Sequence, residues 1–458
     1  MFEGGTSKIL WLAQSVPLFG LLCYVSYQWR NLLSIVILIA SLYSFTKNAI
    51  AVVVESNKVP KRAFILLVFF DLWVGLVMLN KYIYLDMKYS RGFLDCFMKY
   101  TGKSSATTEQ TIYKVNKHVE VYVYKPCTIS NKGCVVYIHG GGFCFLSAAG
   151  FNKSISQMSH YLEMVVVSVE YRLAPEHRFP AGLIDSYSAV QWVHDNSEML
   201  GVDCNSIFVA GDSAGGNLSA AVSLLYRDRQ GAPLEAETQD VLPETETEEA
   251  LPETETQDAP QDKTPEDKKR PGLAGQILLY PLLQGYSSSH PSMIDNGTSF
   301  FPHPEMAMAC ISMYVSGGDR FTRWLGDPEK IPTKAPKFWQ TVVNKDASQL
   351  ETIKEVKMLA EHSDNVTFME IMGNSYLLPL HAEDVSNLPP AYITVAAADT
   401  LRDEGEWYAH YLRENGNSVE LSEVKHVHGF MMQYETNEIA RGELMKIKKW
   451  IGKTLSVN

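Results

Sequence analysis

Serine is a weak nucleophile until a neighbouring base takes its proton and a third group holds that base. The sequence contains residues of all three types in suggestive settings. Gly211-Asp212-Ser213-Ala214-Gly215-Gly216 has the spacing G-x-S-x-G. An apolar run, 206–210, precedes it and a helical pattern, 214–226, follows. A lone G-x-S-x-G often marks no more than a tight turn. Between a strand and a helix it puts the serine on a sharp bend whose flanking glycines avoid collisions, and the new helix aims its free N–H groups at the reaction site. Ser213 is therefore the expected nucleophile. His139-Gly140-Gly141-Gly142 follows another apolar run, 134–138. Acyl transfer passes through a tetrahedral oxyanion that needs backbone N–H groups fixed around it, and glycines allow close approach. Gly141, Gly142 and the N–H of Ala214 are the expected donors. His139 and Gly140 belong to the loop itself, with His139 orienting it and transferring no proton.

The acid and the base should follow the nucleophile in that order. Asp399 comes straight after the apolar run 391–396 and is the expected acid, with Asp403, one turn into the next helix, as its rival. His428 precedes Gly429-Phe430 after the strand-like stretch 418–424 and is the expected base, with His426 as its rival. No C-x-x-C pair or Cys/His cluster has zinc spacing, so neither metal nor cofactor is expected.

These residues need a scaffold. Residues 119–124 alternate apolar and polar with the period of a half-buried strand. The runs 134–138, 164–169, 206–210, 276–280 and 391–396 are short and rich in Val and Ile, as suits strands covered on both faces. Helical stretches such as 186–200 and 214–226 lie between them. This alternation points to a mostly parallel sheet with helices on both sides.

The chain has 458 residues, 46% of them hydrophobic and 20% charged, with a net charge of −12. Residues 235–270 hold thirteen Asp/Glu and four Lys/Arg, which gives −9 of that total. Acidity thus belongs to one segment and says little about the substrate. The segment carries an imperfect nine-residue repeat at 235–241, 244–250 and 253–259, with almost nothing to bury, and reads as a disordered, solvated insertion in the catalytic domain. A tail for a basic partner is the alternative. No basic patch with interleaved aromatics occurs, so nucleic acid is not expected as a partner. Seven cysteines are too few for a disulfide scaffold, and the odd count leaves one thiol over unless chains pair.

Residues 1–90 read as a membrane anchor of one to three apolar helices, and 91–458 as the catalytic domain. The runs 10–27 and 32–45, the latter extended by 49–54, meet the length of about 20 residues that a span needs. The third, 63–79, is shorter and carries Asp71, and packing over the catalytic domain is its alternative. A cleaved signal peptide is the competing reading of the first run, but no small-residue cleavage site stands out. Lys58, Lys61 and Arg62 favour a cytoplasmic loop, while Lys81, Lys88 and Arg91 pull the other way. If 63–79 spans the membrane, the domain is lumenal.

Taken together, His139-Gly-Gly-Gly, Tyr171-Arg-Leu-Ala-Pro-Glu-His-Arg-Phe-Pro-Ala181, Gly211-Asp-Ser-Ala-Gly-Gly-Asn-Leu218, Asp399-Thr-Leu-Arg-Asp-Glu404 and His428-Gly-Phe resemble the hormone-sensitive lipase group of α/β-hydrolases. Within it the chain looks most like the arylacetamide deacetylase family, which shares an N-terminal anchor and a Trp-Leu segment followed by Ile-Pro, here Trp324-Leu325 and Ile331-Pro332. The resemblance runs from about Val119 to the C-terminus without the acidic insert. It implies an eight-stranded, mostly parallel sheet with helices on both faces and a helical cap built partly from N-terminal residues. It implies hydrolysis of carboxylic esters, and some amides, of hydrophobic or lipid-like molecules. It also implies anchorage in the endoplasmic reticulum with a lumenal catalytic domain. By position, Ser213, Asp399 and His428 form its triad, and Gly141, Gly142 and Ala214 its oxyanion hole.

Three features depart from that pattern. Relatives often have a cysteine just after the glycine run and another three residues before the acid. Here these positions hold Cys144 and Ala396, so that disulfide cannot form and the case for an oxidising compartment weakens. The chain also shows more than one apolar run, and the insert is not a family feature. Sequons at Asn152, Asn296 and Asn365 fit a glycoprotein with a lumenal face, and Asn217, in the elbow helix, is expected to be buried. The competing function is a catalytically silent binder on the same fold, against which stands the presence of all three triad types. Ester or amide preference and oligomeric state are not legible in the residues.

Overall fold

The computed structural model describes Arg91 and residues 108–229, 270–285, 290–296, 302–318, 374–432, 434 and 437–457. The apolar runs at the N-terminus, the repeats of 235–259, the Trp324 to Pro332 segment and Asn365 lie outside the described residues. Among the described residues, no helix is long and apolar enough to cross a membrane. The chain divides into Met1–Cys96 and Phe97–Asn458, and the elements below belong to the second unit.

Eight strands form one sheet in the order β1-β2-β4-β3-β5-β6-β7-β8. They are β1 (Thr108–Lys114), β2 (Glu120–Pro126), β3 (Cys134–Ile138), β4 (Val165–Glu170), β5 (Ile207–Asp212), β6 (Gly275–Leu279), β7 (Ala391–Ala398) and β8 (Val419–Val427). β1 and β2 run antiparallel at one edge, and every pairing from β4 to β8 is parallel. This confirms the expected mostly parallel, eight-stranded sheet. β3, β5 and β6 are buried along their whole length, as uninterrupted apolar runs between two helix layers should be. The edge strands β1 and β8 are only partly covered and carry polar residues throughout.

The helices are α1 (Asn152–Leu162), α2 (Ala181–Asp195), α3 (Ser197–Leu200), α4 (Ala214–Asp228), α5 (Pro291–Asp295), α6 (Pro304–Ser316), α7 (Arg402–Glu414) and α8 (Glu438–Val457). Period-two alternation divides the strands between two cores. Ile277, Leu279 and Tyr392 face α1 and α8, packing with Phe151, Ile155, Leu444 and Trp450. Leu278, Ile393 and Val395 face α4 and α7, packing with Leu224, Tyr408 and Leu412. The helix expected over 186–200 starts earlier, directly after Pro180, and breaks at Asn196 into α2 and α3. Arg270, at the end of the acidic segment, ion-pairs with Asp195 at 2.8 Å, so it belongs to the folded body.

The parallel register aligns the carboxyl ends of the strands. Ile138 pairs with Gly211, Asp212 with Leu279 and Leu279 with Thr394. The segments that leave β3, β5, β6, β7 and β8 therefore emerge along one edge of the sheet, where open α/β sheets place their sites. Each of the residues singled out for chemistry sits on one of these segments.

Candidate active site

Ser213 is the residue between β5 and α4. Its backbone adopts φ 54°, ψ −119°, a region that a side chain enters only when its surroundings enforce it. They do so through hydrogen bonds. The Ser213 N–H donates to the Leu279 carbonyl at 2.9 Å, and the Ser213 carbonyl accepts from Asn217 N–H at 3.1 Å and Leu282 N–H at 3.2 Å. Only glycine fits at position 215, because a Cβ there would strike the Ile138 carbonyl oxygen.

The His139–Gly142 loop lies against this turn. Gly141 has φ 115°, which favours glycine, and its carbonyl closes the loop by accepting from Cys144 N–H at 3.1 Å and Phe145 N–H at 2.9 Å. The His139 ring is fully buried and stacks on Tyr171 with centroids 4.4 Å apart, while the Tyr171 hydroxyl donates to the His139 carbonyl at 2.9 Å. Burial pushes the His139 pKa down to about 4 despite the Gly140 carbonyl beside it. The ring is neutral at physiological pH, in keeping with an orienting role. Helix α6 covers the loop from above: Tyr314 stacks on Phe143 at 4.1 Å, and the Cys310 thiol lies where a Gly142 side chain would go. Cys144 is buried, and its Sγ lies 3.8 Å from the Cys310 carbonyl oxygen.

Asp399 follows β7 and His428 follows β8 directly. The structure joins them: His428 Nδ1 is 2.7 Å from Asp399 Oδ2, both side chains being buried. The Leu401 N–H donates to Asp399 Oδ1 at 2.9 Å, and the Asn296 amide to the Asp399 carbonyl at 3.1 Å. Ser213 and His428 meet the same end of β6. Leu279 receives the Ser213 N–H, and the ring of the next residue, Tyr280, packs 4.7 Å from the imidazole.

The two rivals are engaged elsewhere. Asp403 accepts from Ser292 N–H at 2.6 Å and pairs with Arg402 at 2.9 Å. Burial opposes its ionisation, but His290, Ser292 and Arg402 outweigh this and bring its pKa down to about 2. His426 lies within β8, accepts from the Val427 N–H at 2.9 Å and reaches Asn437 at 3.1 Å. The Asn217 amide is buried as expected and donates to Leu377 at 2.8 Å.

One carboxylate at the site escaped the sequence reading. Asp212 is buried beside the serine, and its Oδ1 accepts from Tyr137 hydroxyl at 2.7 Å and from Gly140 N–H at 2.8 Å. It thereby ties the glycine loop to the elbow. Burial raises its pKa, countered by these two donors and the nearby His428. The arrangement resembles that needed for acyl transfer: a bent serine, a histidine fixed by a buried carboxylate, and a glycine loop held beside them. No group of His, Cys, Asp or Glu among the described residues could hold a metal ion.

The family profile described as "alpha/beta hydrolase fold" matches residues 135–376 and 372–432. A carboxylesterase of Mycobacterium tuberculosis is 31% identical over 316 residues, covering 68% of this chain and 71% of that protein. Human arylacetamide deacetylase-like 2 is 29% identical over 320 residues, covering 68% and 70%. Among solved structures, an esterase of Pyrobaculum calidifontis superposes with a TM-score of 0.53 at 26% identity, covering 82% of this chain and 94% of that one.

Proposed function

The chain belongs to the alpha/beta hydrolase fold family, in its hormone-sensitive-lipase-like group, and we propose that it is a membrane-anchored serine hydrolase of hydrophobic carboxylic esters. Its relatives include named carboxylesterases and esterases, and it is a carboxylic ester hydrolase. What carries the mechanistic reading is the 2.7 Å contact of His428 Nδ1 with buried Asp399 next to the elbow bearing Ser213.

In this reading Ser213 Oγ attacks the ester carbonyl carbon while His428 Nε2 takes its proton. The contact to Asp399 keeps the Nδ1 proton in place, which leaves Nε2 free to act as a base. The carbonyl oxygen becomes an oxyanion, stabilised by the N–H groups of Gly141, Gly142 and Ala214. As the tetrahedral adduct collapses, His428 gives the proton to the departing alkoxide and an acyl-serine remains. Water then attacks, His428 takes its proton and returns it to Ser213 Oγ, and the carboxylic acid leaves. Amides need the same machinery, with the proton going to the leaving nitrogen.

The membrane part rests on the apolar runs of 1–90. A substrate that partitions into lipid meets an anchored enzyme at higher local concentration. A lumenal domain at the endoplasmic reticulum is supported by the sequons. Asn296 spends its amide on the Asp399 carbonyl, so a glycan is expected at Asn152 or Asn365 instead. The test is a panel of p-nitrophenyl acyl esters and acetanilides with detergent-solubilised full-length protein, alongside protease protection of intact microsomes. Ester turnover, a protected domain and an endoglycosidase shift are expected. Absence of turnover on every ester refutes the hydrolase, and a domain degraded without detergent refutes the lumenal placement.

The tie between Asp212 and the glycine loop gives a further expected result. Asp212→Asn keeps an acceptor oxygen for Tyr137 and Gly140 and should lower kcat only slightly. Asp212→Ala leaves both donors buried without an acceptor and lets the loop shift. Its kcat should fall by about 10–100-fold, below the 10²–10³ that outright loss of an oxyanion donor costs. Initial rates on one p-nitrophenyl ester decide this, and equal rates for the two variants would contradict it.

A further inference from the structure

We infer that Glu404 is a positioning residue for Ser213, acting through the backbone of 282–284; this rests on Ser213 being the nucleophile. Glu404 is fully buried, lies in the first turn of α7, and is five positions along the chain from Asp399. One of its oxygens, Oε2, accepts from two successive backbone N–H groups, Leu283 at 2.6 Å and Gln284 at 2.8 Å. These residues follow β6 and belong to neither strand nor helix. Their N–H groups have no ladder to join, and a buried backbone donor must find an acceptor.

The segment matters because it holds the elbow. A non-glycine residue at the Ser213 dihedrals persists only where its surroundings over-determine it. Three hydrogen bonds do so: the Ser213 N–H donates to Leu279 at the end of β6, and the Ser213 carbonyl accepts from Asn217 in α4 and from Leu282 in this segment. The segment is pinned at its start by Tyr280 N–H, which donates to the Thr394 carbonyl at 2.7 Å. At its end it is pinned by Glu404, one residue beyond the Leu282 contact.

A buried carboxylate needs compensation, and His290 supplies it. Its ring, also buried, lies with Nε2 3.5 Å from Glu404 Oε1 and Nδ1 3.8 Å from Asp403 Oδ2. Burial alone would lower the His290 pKa, but the two carboxylates prevail and raise it. The turn of residues 399–404 thus serves both halves of the site. Asp399 holds the base directly, and Glu404 holds the nucleophile through the chain beneath it.

The test separates geometry from charge and from stability. Glu404→Gln keeps the length and an acceptor oxygen, whereas Glu404→Asp keeps the charge but withdraws the oxygen from both N–H groups. The readout is the rate of fluorophosphonate labelling at Ser213 per folded full-length molecule, with thermal midpoints measured in parallel. A small displacement of a reacting group is costly, so Glu404→Asp should label at least about fivefold more slowly than wild type, and Glu404→Gln within about threefold. A smaller slowing in Glu404→Asp, whatever its thermal midpoint, overturns the inference, because a merely structural role changes the folded fraction and not the rate per folded molecule. Should Glu404→Asp fail to fold, the other variant still decides: slowing of more than about fivefold in Glu404→Gln would make charge, not position, the operative property. A wild type that is not labelled at Ser213 refutes instead the underlying assignment of the nucleophile.

Discussion

Replacing Ser213 with alanine should lower kcat for ester hydrolysis by a factor of about 10⁴ or more, leaving only what the oxyanion hole and binding contribute. Alanine lacks the Oγ that would form the acyl-enzyme. The loss should fall on kcat with KM little changed, since the side chain acts on the reacting carbon and not on the rest of the substrate. Stability should be nearly preserved, because the Ser213 hydrogen bonds that hold the turn are all backbone bonds. Steady-state kinetics on a p-nitrophenyl ester, with the thermal midpoint of each protein, checks both parts. A variant that keeps more than about a hundredth of wild-type turnover would mean that another nucleophile operates.

Asp399→Asn should be nearly as damaging, at about 10⁴ in kcat, although the replacement has the same shape. The 2.7 Å contact with His428 Nδ1 fixes which imidazole nitrogen carries the proton. An amide in that place can donate to Nδ1, which puts the proton on Nε2 and leaves no base facing the serine. His428→Ala should match the loss of the serine, because the two act as a unit. His426→Ala should be mild, given that its ring is half-buried, stacks on Phe430 at 5.1 Å and bonds to Asn437. Asp403→Asn should spare kcat far more than Asp399→Asn does. If the order of the two histidines or of the two aspartates were reversed in kcat measurements, the base or the acid would have to be reassigned.

The sheet was legible because its inner strands are buried on both faces. Such strands appear as uninterrupted Val/Ile runs, and the expected run 134–138 coincides with β3. β1 was not legible. Its sequence, TEQTIYK, lies at the sheet edge with partial cover and shows neither alternation nor an apolar run. The candidate site residues were legible because acyl-transfer chemistry would restrict them to short motifs in a fixed chain order. The residues that hold those motifs in place were not. Asp212 reaches Gly140 across 72 positions, Glu404 reaches Leu283 across 121, and His290 reaches Asp403 across a comparable stretch. A carboxylate that bonds backbone N–H groups at such a distance leaves no periodicity or spacing to read. Asp212 and Glu404 even stood inside the quoted motifs, but nothing in a motif shows what its flanking acids touch.

The central claim is that one serine, Ser213, receives the acyl group. The direct measurement is to treat the full-length protein with a fluorophosphonate and locate the adduct by peptide mass spectrometry. The account predicts a single adduct on Ser213, complete loss of ester hydrolysis in step with labelling, and no adduct in Ser213→Ala. An adduct on a different serine, or undiminished hydrolysis by protein fully labelled at Ser213, would contradict it.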